Sequence, residues 1–413
     1  MRTSDSERLG VVKAGGGGLR CLPLENVRLD GFLSFPPGSP ALRLKPLNVL
    51  IGPNGAGKSN FIEAFDLLAA TPLDFAAAVR AGGGAEEWPW KGPAGSGRAR
   101  IEAVLDPGTR TGRPLRYSLE FGAVRRRVEV FDEVVEAAAV ARDDDEVSCY
   151  YRFGRGDPVI AMRSESGEYS KRRLKKESVR PDQSVLAQRK DPDTYPELTW
   201  LGERFREIRT FRDWTFGPSA PLRQSQRADL PGGSLLRDST NLALVLNHIE
   251  HEGGERFIEL VKRFLPGVER VSTYVAGGAI DLFLHDSGLT SPIPSVRISD
   301  GTLRFMAILA TLLDSSPPAV LCIESPELGL HPDAVALLGE ILIDASERLQ
   351  LIVTTHSGSL LDCFTNDCEA IVVCERSGAG TELRRLDSEG LASWLDGRRL
   401  GDLWASGVLG ANP

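Results

Sequence analysis

The sequence contains no hydrophobic run long enough to cross a membrane. Its longest apolar stretch, Phe305 to Leu313, is far shorter than the roughly 20 residues that a spanning helix needs. Glycines and charged residues occupy the N-terminal positions where a secretion signal would place its apolar segment. No sustained heptad pattern is present, so long coiled-coil arms are not expected. These absences predict a cytoplasmic protein without membrane insertion.

Cysteine spacing and net charge narrow the class of protein further. The six cysteines include no Cys-x-x-Cys pair, and loosely spaced cysteines favour reduced thiols over a zinc site. The formal net charge is −8 at pH 7, which argues against a protein that binds nucleic acid with its whole surface. A local basic face stays open, and the strongest basic run is Lys171 to Lys176. Such a run is more often a solvated face than a nucleic-acid contact.

Composition and apolar patterning divide the 413 residues into several parts. The first, 1–18, ends in four glycines and is predicted to be a flexible leader. Short β-type runs between turn residues predict an antiparallel β subdomain over 98–180, and helical spacing predicts a mainly helical lobe over 181–265. The remaining segments, 19–97 and 266–413, are predicted to form a nucleotide-binding α/β core.

A glycine-rich phosphate loop follows an apolar run of this core. Leu47 to Ile51 is predicted to be a buried strand, and the next residues are Gly52, Pro53, Asn54, Gly55, Ala56, Gly57, Lys58, Ser59 and Asn60. They fill the pattern G-x-x-x-x-G-K-S between a predicted strand and a predicted helix. In such a loop the backbone N–H groups surround phosphate oxygens, the lysine reaches the β- and γ-phosphates, and the serine hydroxyl binds Mg²⁺. The loop therefore predicts a nucleotide-binding protein.

Three later motifs supply candidates for the rest of the site. Ser299 and Gly301 stand at the start of an apolar helix, where hydroxyl and backbone donors can meet an anion. An apolar strand ends at Glu324, a carboxylate placed to hold Mg²⁺ beside the phosphate loop, and Glu327 follows it closely. Another strand ends near His356. Each of these motifs alone is also compatible with a structural role.

The motifs GPNGAGKSN, SDGT, IESPELGLHP and TTHS, in this order, resemble the ABC-type ATPase heads of the RecF and SMC proteins. The chain is most similar to small single-chain predicted AAA-family ATPases, which are related to the ATPase part of the overcoming-lysogenisation-defect proteins. The resemblance implies a P-loop NTPase of the ABC-ATPase type, α/β in class. It further implies a mixed central sheet with an antiparallel β subdomain and a helical lobe, and ATP and Mg²⁺ as ligands.

The resemblance implies roles for the residues around the triphosphate. Gly52 to Asn60 would hold the triphosphate, and Mg²⁺ would be held by Ser59, Glu324 and a loop glutamine. The loop glutamine is assigned to Gln188, with Gln183 as the second choice.

The resemblance also implies a second subunit. Ser299 and Gly301 would contact the γ-phosphate of ATP that is bound to a partner copy, so that the protein closes as a homodimer when ATP is bound. His356 would contact the γ-phosphate within its own subunit.

One position departs from the family pattern. The family usually has a glutamate directly after the strand acid, where it acts as the general base for water, whereas this chain has Ser325. A neutral serine is a poor base, and general-base catalysis typically contributes about 10²–10⁴-fold. The sequence therefore predicts slow hydrolysis, with Glu327 as the candidate substitute.

Several functions stay open at this stage. The leading prediction is an ATP-closed homodimeric ATPase that works in DNA maintenance or phage defence, with DNA or a separate effector protein as a partner. A nucleotide-gated switch with little hydrolysis is the first alternative. The second alternative is an ATPase subunit that serves a separate nuclease or a transporter, since 357–413 is too short for a nuclease domain.

Overall fold

The structure, a computed structural model, describes residues 24–108, 113–138, 148–154, 157–215, 217–391, 394 and 397–410. The leader predicted over 1–18 lies outside these residues. No helix within the described ranges combines the length and the apolar character that crossing a membrane requires. The predicted α/β class is confirmed, because three sheets and the helices between their strands build the described chain.

The strands and helices alternate along most of the chain. The strands are β1 (Asn26–Asp30), β2 (Leu42–Arg43), β3 (Leu47–Ile51), β4 (Arg98–Leu105), β5 (Leu115–Val124), β6 (Arg127–Ala137), β7 (Cys149–Phe153), β8 (Val159–Arg163), β9 (Tyr169–Arg173), β10 (Arg209–Phe211), β11 (Gln226–Arg227), β12 (Val268–Ala276), β13 (Ala279–Asp286), β14 (Ile293–Pro294), β15 (Val320–Glu324), β16 (Gln350–Thr354), β17 (Ile371–Ser377) and β18 (Gly380–Arg385). The α-helices are α1 (Lys58–Ala70), α2 (Phe75–Ala81), α3 (Val185–Gln188), α4 (Pro196–Arg206), α5 (Leu242–His251), α6 (Glu255–Phe264), α7 (Asp300–Leu312), α8 (Pro332–Ser346), α9 (Gly358–Asp362), α10 (Ser388–Leu391) and α11 (Leu400–Ala405).

A six-stranded sheet of order β10-β15-β16-β3-β17-β18 forms the centre of the fold. Its first five strands run parallel and β18 pairs antiparallel with β17, so the sheet is mixed, as predicted. Every residue of β3 and β16 is buried, because both faces of a parallel sheet are covered and neither is left polar. Parallel strands end at one edge, which therefore collects the residues that follow β3, β10, β15 and β16.

An eight-stranded antiparallel sheet has the order β2-β1-β4-β5-β6-β7-β8-β9. It contains the β subdomain predicted over 98–180 and also takes in β1 and β2, from a segment that the sequence assigned to the core. Every second residue of β4 is buried, which is the pattern of a strand with one face on a core. Phe65 of α1 shares a buried cluster with Ile101 and Leu119, so this sheet packs against the helix that follows the phosphate loop.

The second lobe combines helices with a small sheet. Strands β11, β13 and β12 are neighbours in this order, and β14 pairs with β13. Leu246 of α5 and Val261 of α6 share a buried cluster with Leu282 of β13 and Phe305 of α7. The lobe is therefore packed against the helix that begins after Ser299.

One predicted helix is shorter than its apolar spacing suggests. The spacing alone predicts a helix over 196–212, but α4 ends at Arg206 and β10 begins at Arg209. Phe211 pairs with Ile323 in the parallel register of β10 on β15. A strand forms here because the pairing with β15 buries Thr210 and Phe211 in the central sheet. This difference matters for the site, since it places the next residue at the carboxyl edge of the sheet.

Candidate functional site

The phosphate loop connects β3 to α1 at the carboxyl edge of the central sheet. Gly52, Gly55 and Gly57 have φ angles of 147°, 78° and 104°, a region that side chains rarely adopt. A Cβ atom on Gly52 would lie 2.2 Å from the carbonyl oxygen of Cys374. The turn and the close approach of β17 therefore both require glycine here.

Lys58 lies over the loop from the first turn of α1. Its side chain is buried, and its Nζ donates to the carbonyl oxygens of Gly52, at 2.6 Å, and of Pro53, at 3.0 Å. Burial lowers the pKa of Lys58 below its usual value, although nearby acidic groups oppose this change. A phosphate oxygen would offer this ammonium a charged acceptor in place of neutral carbonyls. Asn54 and Gly55 are exposed at the tip of the loop.

Neighbouring side chains fix the far side of the loop. The Thr381 hydroxyl lies within hydrogen-bond distance of the carbonyl oxygen of Ala56, at 2.8 Å, and of the Ser34 hydroxyl, at 2.7 Å. The Asn60 side chain donates to the same Ser34 oxygen at 2.8 Å. Ala56 and Asn60 are thus held from outside before any ligand binds.

Two of the three predicted ligands of the metal, Ser59 and Glu324, meet at the edge of the sheet. Ser59 and Glu324 are 265 positions apart, and the Ser59 hydroxyl donates to Oε1 of Glu324. Glu324 is the last residue of β15. Hydroxyl and carboxylate oxygens suit Mg²⁺, which takes one or two protein oxygens and completes its shell with phosphate and water. The chemistry of this pair therefore fits a magnesium ion that arrives with a nucleotide.

Arg212, which the sequence did not single out, is the cation at this corner. Its Nε donates to Oε2 of Glu324 at 3.2 Å and its Nη2 to Glu63 at 2.7 Å, while its Nη1 lies 3.5 Å from a carboxylate oxygen of Asp66. One guanidinium thus joins an acid of the strand to two acids of α1. The sequence signal is slight, because Arg212 becomes a site residue only through the pairing of β10 with β15.

Glu327 is a second acid beside the phosphate loop. Only 8% of its surface is exposed. Its Oε1 accepts a hydrogen bond from the Thr355 hydroxyl at 2.7 Å and from the His356 backbone N–H at 3.0 Å. Its Oε2 is buried and has no hydrogen-bond partner within the described residues. One oxygen orients the carboxylate, and the other is available as an acceptor.

Ser325 and His356 flank this acid. Ser325 has a φ of 46°, unusual for a side chain, and its N–H donates to the carbonyl oxygen of Thr354 at 3.0 Å. His356 is exposed after the end of β16. Partial burial and the charge of Lys58 lower the pKa of His356. The bond from the His356 N–H to Glu327 places this histidine next to the second acid.

The start of α7 packs against the loop that follows β15. The Ser299 side chain caps the helix by accepting from the Thr302 N–H at 3.1 Å. A Cβ atom on Gly301 would lie 2.6 Å from the carbonyl oxygen of Gly329, so this glycine permits close packing on the loop after β15. No hydrogen bond joins Ser299 or Gly301 to the phosphate loop within the described residues. Leu328 of the same loop is 55% exposed.

The two candidate loop glutamines bond elsewhere. The Gln188 side chain accepts from the Arg180 N–H at 2.8 Å and donates to the Gln183 carbonyl oxygen at 3.0 Å. Gln183 accepts from the Phe75 N–H and donates to Asp74 at the start of α2. In the described structure neither side chain bonds to Ser59 or Glu324. Arg212 contacts Glu324 instead. The assignment of Gln188 stays a prediction without structural support.

Comparison with solved structures identifies the fold. An SMC head bound to the C-winged helix domain of ScpA is similar over 90% of this chain and 99% of its own, with 13% identity and a TM-score of 0.55. The Smc head of Pyrococcus furiosus, with an extended coiled coil and the C-terminal domain of ScpA, covers 91% of this chain and 98% of its own, with 12% identity and a TM-score of 0.56. The Smc head of Pyrococcus yayanosii covers 91% and 99%, with 11% identity and a TM-score of 0.51. Identities this low establish the fold alone.

Comparison of the sequences identifies the family. The chain has no match among curated proteins. A family model described as "AAA domain, putative AbiEii toxin, Type IV TA system" matches residues 47–362, a range that runs from β3 to the end of α9 and contains all four motifs. The resemblance to ABC-type ATPase heads is thereby confirmed. The chain belongs to this family of AAA domains, and it has the fold of an SMC-type ATPase head.

Proposed function

We propose that the protein binds ATP with Mg²⁺ at the phosphate loop and hydrolyses the ATP slowly. The observation that carries this proposal is the meeting of Ser59 with Glu324 beside the buried Lys58. Chance does not readily bring a loop serine and a strand acid so distant in sequence into contact at the one edge where phosphate would lie. Magnesium, when bound there, would neutralise phosphate charge and orient the phosphate groups.

The chain's own residues supply the remaining roles. The Lys58 ammonium would leave its two backbone carbonyl partners for the β- and γ-phosphates. Glu327 would accept the proton of the attacking water at Oε2, while Thr355 and the His356 N–H hold Oε1 in place. Exposed His356 would contact the γ-phosphate. Ser325 supplies no base directly after the strand acid Glu324. The reaction would therefore depend on Glu327, which lies two positions further along the chain, and would be slow.

The active form would be a homodimer that closes on ATP. Ser299 and Gly301 form no hydrogen bond with their own phosphate loop within the described residues, and in the proposed dimer they would contact the nucleotide of the second copy. Leu328 supports this arrangement, since it is 55% exposed on the loop packed against Gly301. ATP would favour the closed state because only that state places donors of both copies on the γ-phosphate.

The working context would be cytoplasmic, in DNA maintenance or phage defence, with DNA or a separate effector protein as the partner. Two features of relatives support this context. Two of the three solved SMC heads are bound to domains of ScpA, and the family description names a toxin of a toxin–antitoxin system. An ATP-driven change in dimer geometry is a suitable input for such a partner.

The test compares wild type with Lys58→Ala by ATP titration and by size-exclusion chromatography with and without ATP·Mg²⁺. Wild type should shift from monomer to dimer with ATP·Mg²⁺, and Lys58→Ala should bind ATP about 10- to 100-fold more weakly because a charge-assisted hydrogen bond is lost. Lys91→Ala is the control, since Lys91 is exposed and forms its ion pair with Glu87. Wild-type ATP affinity in Lys58→Ala overturns the proposed site, and an unchanged elution volume overturns the dimer.

A nucleotide-gated switch is the second candidate, and Ser325 is the observation that favours it. In that function ATP binding closes the dimer and hydrolysis contributes little. Single-turnover phosphate release separates the two functions: release faster than dimer dissociation supports an ATPase, and dimerisation without measurable release supports a switch.

A further inference from the structure

A long hairpin of the antiparallel sheet ends in three consecutive arginines. Strands β5 and β6 pair antiparallel, with one register shift between Glu120 and Phe121, until Val124 lies opposite Arg127, which leaves Arg125 and Arg126 as a two-residue turn. Both turn residues have positive φ angles, 50° and 65°. Positive φ at both central positions is the requirement of a type I′ turn. Asn-Gly is the pair that fits such a turn best, because it tolerates this backbone region.

Arginine is a poor choice for this backbone. A side chain with a Cβ atom is strained in the left-handed region, and nothing in the hairpin geometry demands a long cation there. Residues kept in a disfavoured backbone region point to a functional role. The strained turn presents two guanidinium groups to solvent.

The arginines present uncompensated charge. Arg125, Arg126 and Arg127 are all exposed, and within the described residues none of the three forms an ion pair with a carboxylate. Together with Arg80 of α2 they line a cleft of about 840 Å³. Asp182 also lines this cleft, but it is already bonded to Arg180. Glu129 is the other acid in the lining. The cleft therefore has an excess of positive charge in a protein whose net charge is −8.

We propose that the tip of the β5–β6 hairpin, with Arg125, Arg126 and Arg127, binds the phosphate backbone of duplex DNA. Guanidinium groups bind phosphate oxygens through paired hydrogen bonds. Duplex DNA carries about one charge per 1.7 Å of its axis, whereas an extended acidic peptide carries at most one per about 3.3 Å. Three adjacent arginines match the denser anion better. A two-stranded ribbon also fits the width of the DNA major groove.

The basic run Lys171 to Lys176 has a simpler explanation. Its residues Lys171, Arg172 and Arg173 lie on β9, the edge strand of the eight-stranded sheet. Charged side chains on an edge strand prevent it from pairing with another chain. This run therefore needs no ligand to account for it, and it serves as the matched control for the hairpin.

A variant that removes two of the arginines and also improves the turn separates loss of binding from loss of folding. Arg125→Asn with Arg126→Gly installs the favoured type I′ pair, so its midpoint of thermal unfolding should be equal to or higher than that of wild type. Loss of two phosphate contacts should make the negative slope of log affinity against log salt less steep by about 2. The affinity at 50 mM salt should fall on the order of 100-fold. The double change Arg172→Gln with Arg173→Gln removes the same charge and should leave the affinity within about threefold.

Fluorescence anisotropy with a short DNA duplex, between 50 and 200 mM salt, measures both quantities on the full chain. Three results overturn the proposal: no binding by wild type at 50 mM salt, equal affinity in the Asn-Gly variant, or a larger loss in the β9 variant. Single-stranded RNA of the same length that binds about tenfold more tightly than the duplex overturns the duplex assignment. DNA binding by the hairpin does not depend on the proposed ATP binding. Lys58→Ala without nucleotide should bind the duplex like wild type, so failure of one proposal leaves the other standing.

Discussion

Replacement of Glu327 by glutamine tests the origin of the chemistry most directly. The amide oxygen can still accept from the Thr355 hydroxyl and the His356 N–H, which lie 2.7 Å and 3.0 Å from Oε1. The amide nitrogen replaces Oε2, the buried oxygen that would take the proton of water. Loss of a general base costs about 10²–10⁴-fold in rate, which is about 3 to 5 kcal/mol of transition-state stabilisation.

The assay is single-turnover phosphate release from bound ATP, since wild-type turnover is itself expected to be slow. Glu327→Gln should reduce the rate constant at least about 100-fold, while ATP affinity and ATP-dependent dimerisation stay close to wild type. A buried amide in place of a carboxylate oxygen will cost about 1 to 3 kcal/mol of stability, so thermal unfolding is measured alongside. Glu203→Gln, at an exposed position of α4, is the matched control and should behave like wild type.

One result refutes the assignment of Glu327. If the folded variant releases phosphate within about twofold of the wild-type rate, the carboxylate does not act as the base. The reasoning from its orienting hydrogen bonds would then be mistaken, and the water would have to be activated by another group.

The remaining predictions concern the two other unusual carboxylate environments. Arg212→Ala leaves Glu324 without its cation, so the free energy of unfolding should fall by about 1 to 3 kcal/mol, and millimolar Mg²⁺ should restore part of the loss. Arg212→Lys should lose less of this stability. If Mg²⁺ does not raise the midpoint of thermal unfolding of Arg212→Ala, the assignment of Ser59 and Glu324 as a cation site is contradicted. Burial raises the pKa of Glu133 from 4.5 to about 7, so the folded protein holds this proton more tightly than the unfolded chain does. Stability should therefore fall as the pH rises from about 4.5 to about 7, by up to about 3 kcal/mol, and urea unfolding of Glu133→Gln should lack this slope; an equal slope in the variant refutes the prediction.

Local patterns were sufficient for the phosphate loop. The glycines at 52, 55 and 57 are needed for the backbone turn itself, and the apolar run before them is buried on both faces. These requirements are imposed by neighbours in sequence, so they leave a motif of fixed spacing. The same is true of the helix cap at Ser299, whose partner Thr302 lies three positions away.

The contacts around Glu324 could not be predicted from local patterns, because their residues lie far apart in sequence. Arg212 is paired with Glu324 across 112 positions, and no local pattern marks an arginine that will lie beside an acid of another strand. Apolar spacing even predicts a helix through this position, since helical spacing and a short buried strand cannot be told apart by periodicity alone. Gln188 shows the converse case, because a family pattern pointed to it while its side chain bonds to the nearby backbone of Arg180 and Gln183.

The α/β class and the phosphate loop could be predicted from the sequence, because each motif depends on residues a few positions apart. The side chains that meet at the edge of the sheet, and the arginines at the turn of the β5–β6 hairpin, became evident in the folded chain. Strand pairing sets these contacts, and the pairing depends on burial across the whole sheet rather than on any one segment.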